Sequence, residues 1–566
     1  MMKAFFVYLQ AMKKCLNAIL AGLLLVTACV RQEIPRGETP VSRVTLNQTS
    51  CTVKVDENIR LKATVFPSEV TDKTIVWTSS KDHIANVDGE GLVTGMAPGT
   101  ARITAACGGK KASCVVTVQA DGDTPQPDPD PDPDPDPDPD PDPDPVPDPV
   151  VDPEDDTPTG TKGVGEFPSV WITMDAGSVS RDTYKTTTIT FKDPDSWYTS
   201  VAEMTLTTQI RGRGHMSWGS FDKKPYRLKL AEAHRVLGMN RNRDWDLIAN
   251  ANDHILLRNS IGYHISRKLG FDWTPKVRAV ELYMNGSYRG NYILIQHKEV
   301  ASEKVNITPA TPTTAPADGG YYIEVEDASG YGDYTSSRYK MPFFWDDPSG
   351  EDKEITADQE KYLIDIIENI EEGLQTRNFT QVWDNLEMGP MVDYFILKEL
   401  AKDIDGCLRK SNYFSKAPGT KLRMCHVWDF DLGFGNCCDL LYDGHAYSGE
   451  ATGWFIKEVG GNYYISGDYY GKGKGWYPAM FEDPAFVAAV KARWQEVYPE
   501  LAAVPDWVDT QVSYYRKGYD HNFERWDIRS NVINRTIEGS YDGELRAFKD
   551  WYNARLSWMN AEISAW

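Results

Sequence analysis

Positive charge is in short supply in this chain. Its 566 residues carry 83 Asp and Glu against 60 Lys and Arg, a net charge of −23. The deficit is local: residues 121–156 hold sixteen acids and no Lys or Arg, and setting them aside leaves −7. Nothing concentrates cations on the scale that a phosphate backbone requires, which argues against a general nucleic-acid partner. Cysteine is scarce too. Nine are spread along the chain with no CxxC pair, which excludes a disulfide scaffold and the common zinc motifs. Long apolar runs are also missing. The run at residues 16–28 has thirteen residues, short of the roughly 20 that span a bilayer. What is present is ordinary globular composition, 41% hydrophobic and 25% charged. That excludes wholesale disorder, and the length allows about three to five domains.

The short apolar run has a recognisable setting. Lys13 and Lys14 precede it, and Val26, Thr27, Ala28 and Cys29 close it. A basic head, an apolar body and small residues before a cysteine describe a signal peptide over residues 1–28, with Met12 as an alternative start. The last four residues resemble a bacterial lipobox. That resemblance implies a lipidated Cys29, a protein tethered to the membrane without spanning it, and a cell-envelope location at the outer membrane or cell surface. A plain secretory signal or a membrane anchor is the alternative.

Beyond a short polar spacer, residues 41–119 alternate apolar and polar at period two in short runs. Examples are Cys51–Val55, Leu61–Val65, Ala101–Ala105 and Cys114–Val118, with turn pairs such as Asp88-Gly89 and Pro98-Gly99 between them. Many short strands at close spacing predict a small sandwich. The pieces Val76-Trp77, Ala85-Asn86-Val87 and Gly91-Leu92-Val93-Thr94-Gly95 resemble the bacterial Ig-like domains of group 2. The resemblance implies a spacer or adhesive module. Residues 120–160 read as a linker, with strict Pro-Asp alternation from 127 to 145. Proline fixes φ and the acids repel, so an extended stalk is expected, at roughly 3.1 Å per residue.

Residues 165–566 begin with strand-like runs and continue with helical spacing, which predicts an α+β fold. Asn285-Gly286 between two strand-like runs is a hairpin signal. Helices are predicted over Ile255–Leu269, Ala357–Gly373, Met391–Ala401, Phe486–Tyr498 and Gly543–Ile563.

Two clusters can carry chemistry. The first runs from Arg211-Gly212-Arg213-Gly214 through Trp218 to Lys223-Lys224-Pro225-Tyr226-Arg227-Leu228-Lys229. Cations beside a Gly-containing loop suit phosphate, though a solvated strand face has the same letters. The second lies at 398–436 and includes Asp403, Asp405, Asn412, Asp429 and Asp431. Two Asp and an Asn are what Mg²⁺-dependent phosphoryl transfer uses, because the ion is hard and prefers oxygen ligands. Turn and cap roles are the bland account of the same residues.

The order of segments resembles the CotH kinase family, the spore-coat-type atypical protein kinases. The matching pieces are Arg211–Arg227, Trp245–Asp253 with Leu257-Arg258-Asn259, Val280–Tyr292, Gly319–Glu324, Asp405-Gly406, Ser411-Asn412-Tyr413 and Trp428–Asp431. The resemblance implies a divergent protein-kinase-like fold beside the small all-β Ig-like sandwich. It also implies ATP and Mg²⁺ as cofactors and a protein acceptor phosphorylated on Ser or Thr. Carried over, Asp405 resembles the catalytic Asp. Asn412, Asp429 and Asp431 resemble metal ligands. Lys224 is the first candidate for the phosphate-binding Lys, with Lys223 and Lys229 competing, and Arg211 a further phosphate contact. Glu299 is the candidate partner of that Lys, and Arg258 with Asp253 is either functional or a structural pair. Asp405 and Asn412 are seven apart, where ordinary protein kinases have about five.

That spacing leaves an inactive, ligand-binding domain open as the alternative: a surface adhesion lipoprotein binding protein or glycan. Trp454, Tyr463, Tyr464, Tyr469, Tyr470, Trp476 and Tyr477, interspersed with Gly, suit stacking on sugars or packing in a core. A glycosidase is a third reading, but no pair among Glu324, Glu326, Asp346 and Asp347 stands out. Cys107 and Cys114 flank a predicted hairpin, and Cys407 and Cys425 flank the second cluster.

Overall fold

The computed structural model describes residues 41–119 and 165–566. Excepted are positions 42, 49, 56, 67–69, 71–72, 80, 82–83, 109, 176, 215, 327–331, 351–353, 404–407, 409, 437–440, 443–444, 447–448, 459–463, 466–467, 470–474 and 531–536. The leader, Cys29, the linker, Asp405, Cys407, Tyr463 and Tyr470 lie outside the described residues. The chain divides into two compact units, Met1–Pro141 and Asp142–Trp566.

In the first unit the strands are β1 (Arg43–Leu46), β2 (Ser50–Lys54), β3 (Asn58–Arg60), β4 (Ala63–Phe66), β5 (Val76–Ser79), β6 (Ala85–Val87), β7 (Leu92–Gly95), β8 (Gly99–Cys107) and β9 (Lys110–Gln119). They form sheets ordered β1-β4, β2-β9-β8-β5 and β3-β7-β6. Alternation puts Val53, Leu61, Val93, Ile103, Val116 and Val118 in one core. Gly91 has a φ of 80°, and a Cβ there would stand 2.6 Å from both the Leu61 carbonyl and the Trp77 ring, so the turn needs glycine.

The second unit opens with a closed barrel. Its strands are β10 (Ser169–Thr173), β11 (Lys185–Lys192), β12 (Glu203–Gly212), β13 (Tyr226–His234), β14 (Asn242–Ile248), β15 (Val277–Met284) and β16 (Ser287–Gln296). They are ordered β10-β11-β12-β13-β14-β16-β15, and β10 closes the ring by pairing parallel to β15. The barrel is filled because period two sends Ile189, Ile210, Leu228, Leu230, Trp245, Leu247 and Leu294 inward, each nearly or wholly buried. Each such burial contributes about 1.5–3 kcal/mol. Asn285 and Gly286 turn the β15–β16 hairpin at φ of 47° and 73°, as an Asn-Gly pair should.

A second sheet, β17 (Tyr321–Val325), β18 (Tyr334–Thr335), β19 (Pro342–Asp347), β20 (Asn412–Lys416) and β21 (Arg423–Val427), is ordered β18-β19-β17-β20-β21. The helices are α1 (Met216–Ser220), α2 (Arg258–Leu269), α3 (Ala357–Thr376), α4 (Phe379–Asn385), α5 (Met388–Ala401), α6 (Trp476–Met480), α7 (Pro484–Ala502), α8 (Val504–Arg525) and α9 (Tyr541–Ser564). One continuous core joins barrel, sheet and helices. Thr356 opens α3 with a full capping box to Gln359. The fold is mixed helix and sheet with an all-β N-terminal region. Helix α8 was not foreseen; its apolar residues are mostly aromatic or β-branched, which weakens the helical signal. No helix among the described residues is long and apolar enough to cross a membrane.

Candidate functional site

Three barrel strands set a charged stripe on their outward face. Arg211 on β12 stands opposite Arg227 on β13, and Arg227 stands opposite Asp246 on β14. Their neighbours Ile210, Leu228 and Trp245 point inward, so the alternation that fills the barrel also aligns the charges. Asp246 has no exposed side-chain surface. Arg227 Nε donates to its Oδ1 at 2.8 Å, Arg213 Nε stands 3.5 Å away, and His297 Nδ1 lies 2.9 Å from Oδ2. Burial opposes its charge, but Arg227 and Arg213, with His297, outweigh it and hold the carboxyl well below its ordinary range. Burial drives His297 the other way, down to about 3 against the pull of Asp246. His297 is therefore neutral near pH 7, and its contact with Asp246 is a hydrogen bond rather than an ion pair.

The stripe continues into the second sheet. Lys298 donates to Glu324 at 3.1 Å and lies 3.7 Å from Asp346. Tyr413 donates to the same Glu324 at 2.5 Å. Glu326, two residues on, accepts from the Ser411 amide at 3.0 Å. Burial and then the Glu324 charge push Glu326 up to about 7.

The second sequence cluster meets this stripe. The residues from Met424 to Phe430 are buried except Asp429. Asp429 holds a left-handed backbone with φ 55°, a conformation a non-glycine residue adopts only when its surroundings impose it. Those surroundings are explicit. Lys398 on α5, fully buried, donates to the Trp428 and Asp429 carbonyls at 2.9 and 3.1 Å, and its charge is matched by Asp403 at 2.7 Å. Asn259 accepts from the Phe430 amide at 2.8 Å. Burial pushes the Tyr263 hydroxyl up, the charges of Asp429 and Asp246 add to that, and Arg213 opposes it. The Trp428 ring stands edge-on to His297, centroids 6.3 Å apart. The Arg-rich strands and the Asp429 turn thus share one neighbourhood.

Several expected site residues are placed differently. Lys223 is buried and donates to the Asn291 carbonyl at 2.5 Å and to Asn522 of α8 at 2.8 Å. Lys224 donates to the Trp218 carbonyl and lies over that ring. In this structure both side chains bond the protein's own carbonyls. The Glu299 carboxylate pairs with Lys304. Asn412 is wholly buried; its amide oxygen accepts from Tyr394 and its NH₂ donates to the Lys410 carbonyl at 2.8 Å. Tyr394 also receives the Leu408 amide at 3.1 Å, so Asn412 and Tyr394 tie Leu408 and Lys410 to α5. Arg211 is half-exposed on the stripe, its guanidinium on the Arg181 carbonyl and over the Tyr184 ring. Asp431 is half-buried, with its carbonyl accepting from Asn436 at 2.7 Å. Arg258 and Asp253 form a buried pair at 2.6 Å; Arg258 also bonds the Phe434 carbonyl at 3.4 Å, a structural tie. Trp454, Trp476 and Tyr477 are core residues.

Asp246, His297, Lys298 and Lys398 were not singled out as site residues in the sequence, and Asp403 stood in the second cluster without a role. Arg213 and Arg227 stood in the cation-rich motif, and the Arg227-Leu228-Lys229 alternation is the signal that puts Arg227 on an outer face.

The donor set suits an anionic ligand with a hard cation. Arg213 Nε is buried without a hydrogen bond, its carboxylate neighbour being Asp246 Oδ1 at 3.5 Å. Asp429 supplies exposed carboxylate oxygens, and Mg²⁺ needs only one or two carboxylates when phosphate oxygens and waters complete its shell. No group of three metal-ligating side chains occurs among the described residues.

The family model described as CotH kinase protein matches residues 209–559, and the bacterial Ig-like domain (group 2) model matches residues 40–116. Among curated proteins, a 3-O-alpha-D-galactosyl-alpha-L-arabinofuranosidase of Bifidobacterium longum subsp. longum is 43% identical over 74 residues, 12% of this chain and 6% of that one. A lacto-N-biosidase of Bifidobacterium bifidum is 40% identical over 76 residues, 13% and 7% of the two chains. An Ig-like virion protein of Serratia phage KSP90 is 42% identical over 81 residues, 14% and 31%. The two glycosidase matches involve the Ig-like region alone, and this chain spans only 6–7% of those proteins' length. Surface layer protein SbsC, domains 1–6, aligns at 16% identity over 46% of this chain and 37% of that one, with a TM-score of 0.13; this carries no argument about the fold.

Proposed function

The chain belongs to the CotH kinase protein family, and from that footing we propose that its second unit is a divergent kinase-like domain. It binds Mg-ATP and transfers phosphate to Ser or Thr of a protein acceptor, at the envelope surface, tethered through Cys29. The observation that supports this reading most directly is Asp429: an exposed carboxylate in a buried run, on a left-handed backbone, held by the buried Lys398–Asp403 pair beside Arg213 and Arg227.

In this reading Arg213 and Arg227 hold phosphate oxygens through guanidinium N–H groups other than the Nε atoms that face Asp246. Asp246 keeps both guanidinium groups oriented, and neutral His297 braces Asp246 from its other oxygen. Asp429, with Asp431 beside it, holds the metal. Bound Mg²⁺ neutralises charge on the phosphates and aligns them. Asp405 accepts the proton of the acceptor hydroxyl, and Asn412 with Tyr394 positions the segment that carries it.

The test is phosphate transfer from labelled ATP by the full chain, with Asp405→Ala and Asp429→Ala beside wild type. Loss of transfer by a factor of at least about 10² in both, with unchanged circular dichroism, is expected. Transfer at the wild-type level by either variant contradicts the assignment. A second reading has one observation in its favour. Asn412, the expected second metal ligand, is committed to Tyr394 and Lys410, which suits a domain that binds nucleotide without transferring phosphate. Binding retained with no transfer to any acceptor, including the chain itself, distinguishes it.

A further inference from the structure

The first unit contains two thiols that the chain brings together from far apart. Cys51 lies on β2 and Cys114 on β9, 63 positions apart, yet their Sγ atoms stand 3.8 Å from each other. The two strands run parallel, and Cys51 stands opposite Val116. Cys114, two residues before Val116, therefore shares its face. Cys114 is fully buried in the core cluster with Val53, Ile103 and Val118, and half-buried Cys51 packs against that cluster. Cys107 is a poorer neighbour for either. It lies in a separate cluster with Val41, Val44 and Val65, and across the β8–β9 ladder it faces Lys110, whereas Cys114 faces Ile103.

We propose that Cys51 and Cys114 form a disulfide that locks β2 to β9. A disulfide needs about 2.05 Å between sulfurs, so the pair must close by under 2 Å, and half-buried Cys51 has the freedom to turn. β2 is an edge strand, held in its sheet through β9, and the bond would fix that edge covalently. The oxidant is an external disulfide of the glutathione type. Cys51, the more accessible thiol, attacks as thiolate and releases one glutathione thiolate, giving a mixed disulfide. Cys114, deprotonated, then attacks the Cys51 sulfur and releases the second. One S–S bond forms and one is lost, the two electrons reside on two glutathione thiols, and the proton count is unchanged. Burial raises the Cys51 thiol, and raises Cys114 to about 12, so the exchange is slow and quickens at higher pH.

The full chain is incubated with reduced or with oxidised glutathione, denatured, alkylated without reductant, digested and mapped by mass. The expected result is a peptide pair joining Cys51 to Cys114 in the oxidised sample only. The thermal transition of the first unit should rise by more than about 10 °C on oxidation. Cys51→Ser should remove that dependence. Alkylation of both Cys51 and Cys114 after oxidation overturns the proposal, and so does a map that joins either one to Cys107. The wild-type map decides the matter whether or not the variant folds.

Discussion

Asp246 keeps its charge without any contact with water, so its stability rests on Arg227, Arg213 and His297. Arg227→Met removes the nearest counter-charge and is expected to destabilise the second unit by about 3–5 kcal/mol, read from urea denaturation. A loss under about 1 kcal/mol would mean that Arg213 alone suffices. Lys223 makes a prediction of opposite kind. Burial brings it from 10.5 down to about 7, Asp253 only partly resisting. Between those pH values the unfolded chain holds a proton that the folded chain has lost, so stability gains with rising pH across that window. Relative to Lys223→Met, wild type should gain between pH 7 and about pH 9.5 in paired urea titrations; a constant difference contradicts the burial argument. These two residues also show where sequence reading stops. Lys223 and Lys224 were read as phosphate ligands because cations beside Arg211 and Arg213 look alike in one dimension. Only the register of β12, β13 and β14 separates Arg227, which faces the stripe, from Lys223, which meets α8.

At the level of elements, α2 and the segment after β21 fit each other at Gly262. A Cβ there would stand 2.2 Å from the Phe430 ring. Gly262→Ala should therefore cost about 1–3 kcal/mol and disturb the neighbouring Asp429 turn. The expected outcome is lower stability together with weaker nucleotide binding; unchanged binding would uncouple the turn from α2. Most elements were legible because their periods are regular: α3 and α9 carry apolar residues at three and four, and the β15–β16 hairpin announces itself in Asn285-Gly286. Helix α8 was not, because Val504, Trp507, Val508, Val512, Tyr515, Tyr519 and Phe523 have the letters of a strand. It becomes helical by burying Val508, Tyr515 and Tyr519 in the shared core and by anchoring Asn522 on Lys223 and the Asn291 amide. Tertiary packing overrides propensity there.

Across the whole molecule, the sandwich of the first unit and the barrel-with-helices of the second follow from their hydrophobic patterns, and the ordered motifs from Arg211 to Asp431 pointed to the family. Asp429 was visible as the residue ending an apolar run before a Gly-rich turn. Its supports were not, since Lys398, Asp403, Asn259 and Tyr263 reach it only after α2, α5 and β21 have packed. The central claim is that this turn and the Arg213–Arg227 stripe form one nucleotide-metal site. Calorimetry of ATP binding to the full chain with and without Mg²⁺, wild type beside Asp429→Ala, tests it most directly. The account predicts Mg²⁺-dependent binding by wild type, weakened at least about tenfold, or by about 1.4 kcal/mol, in the variant. Absence of binding by folded wild type, or equal binding by the variant, would contradict it.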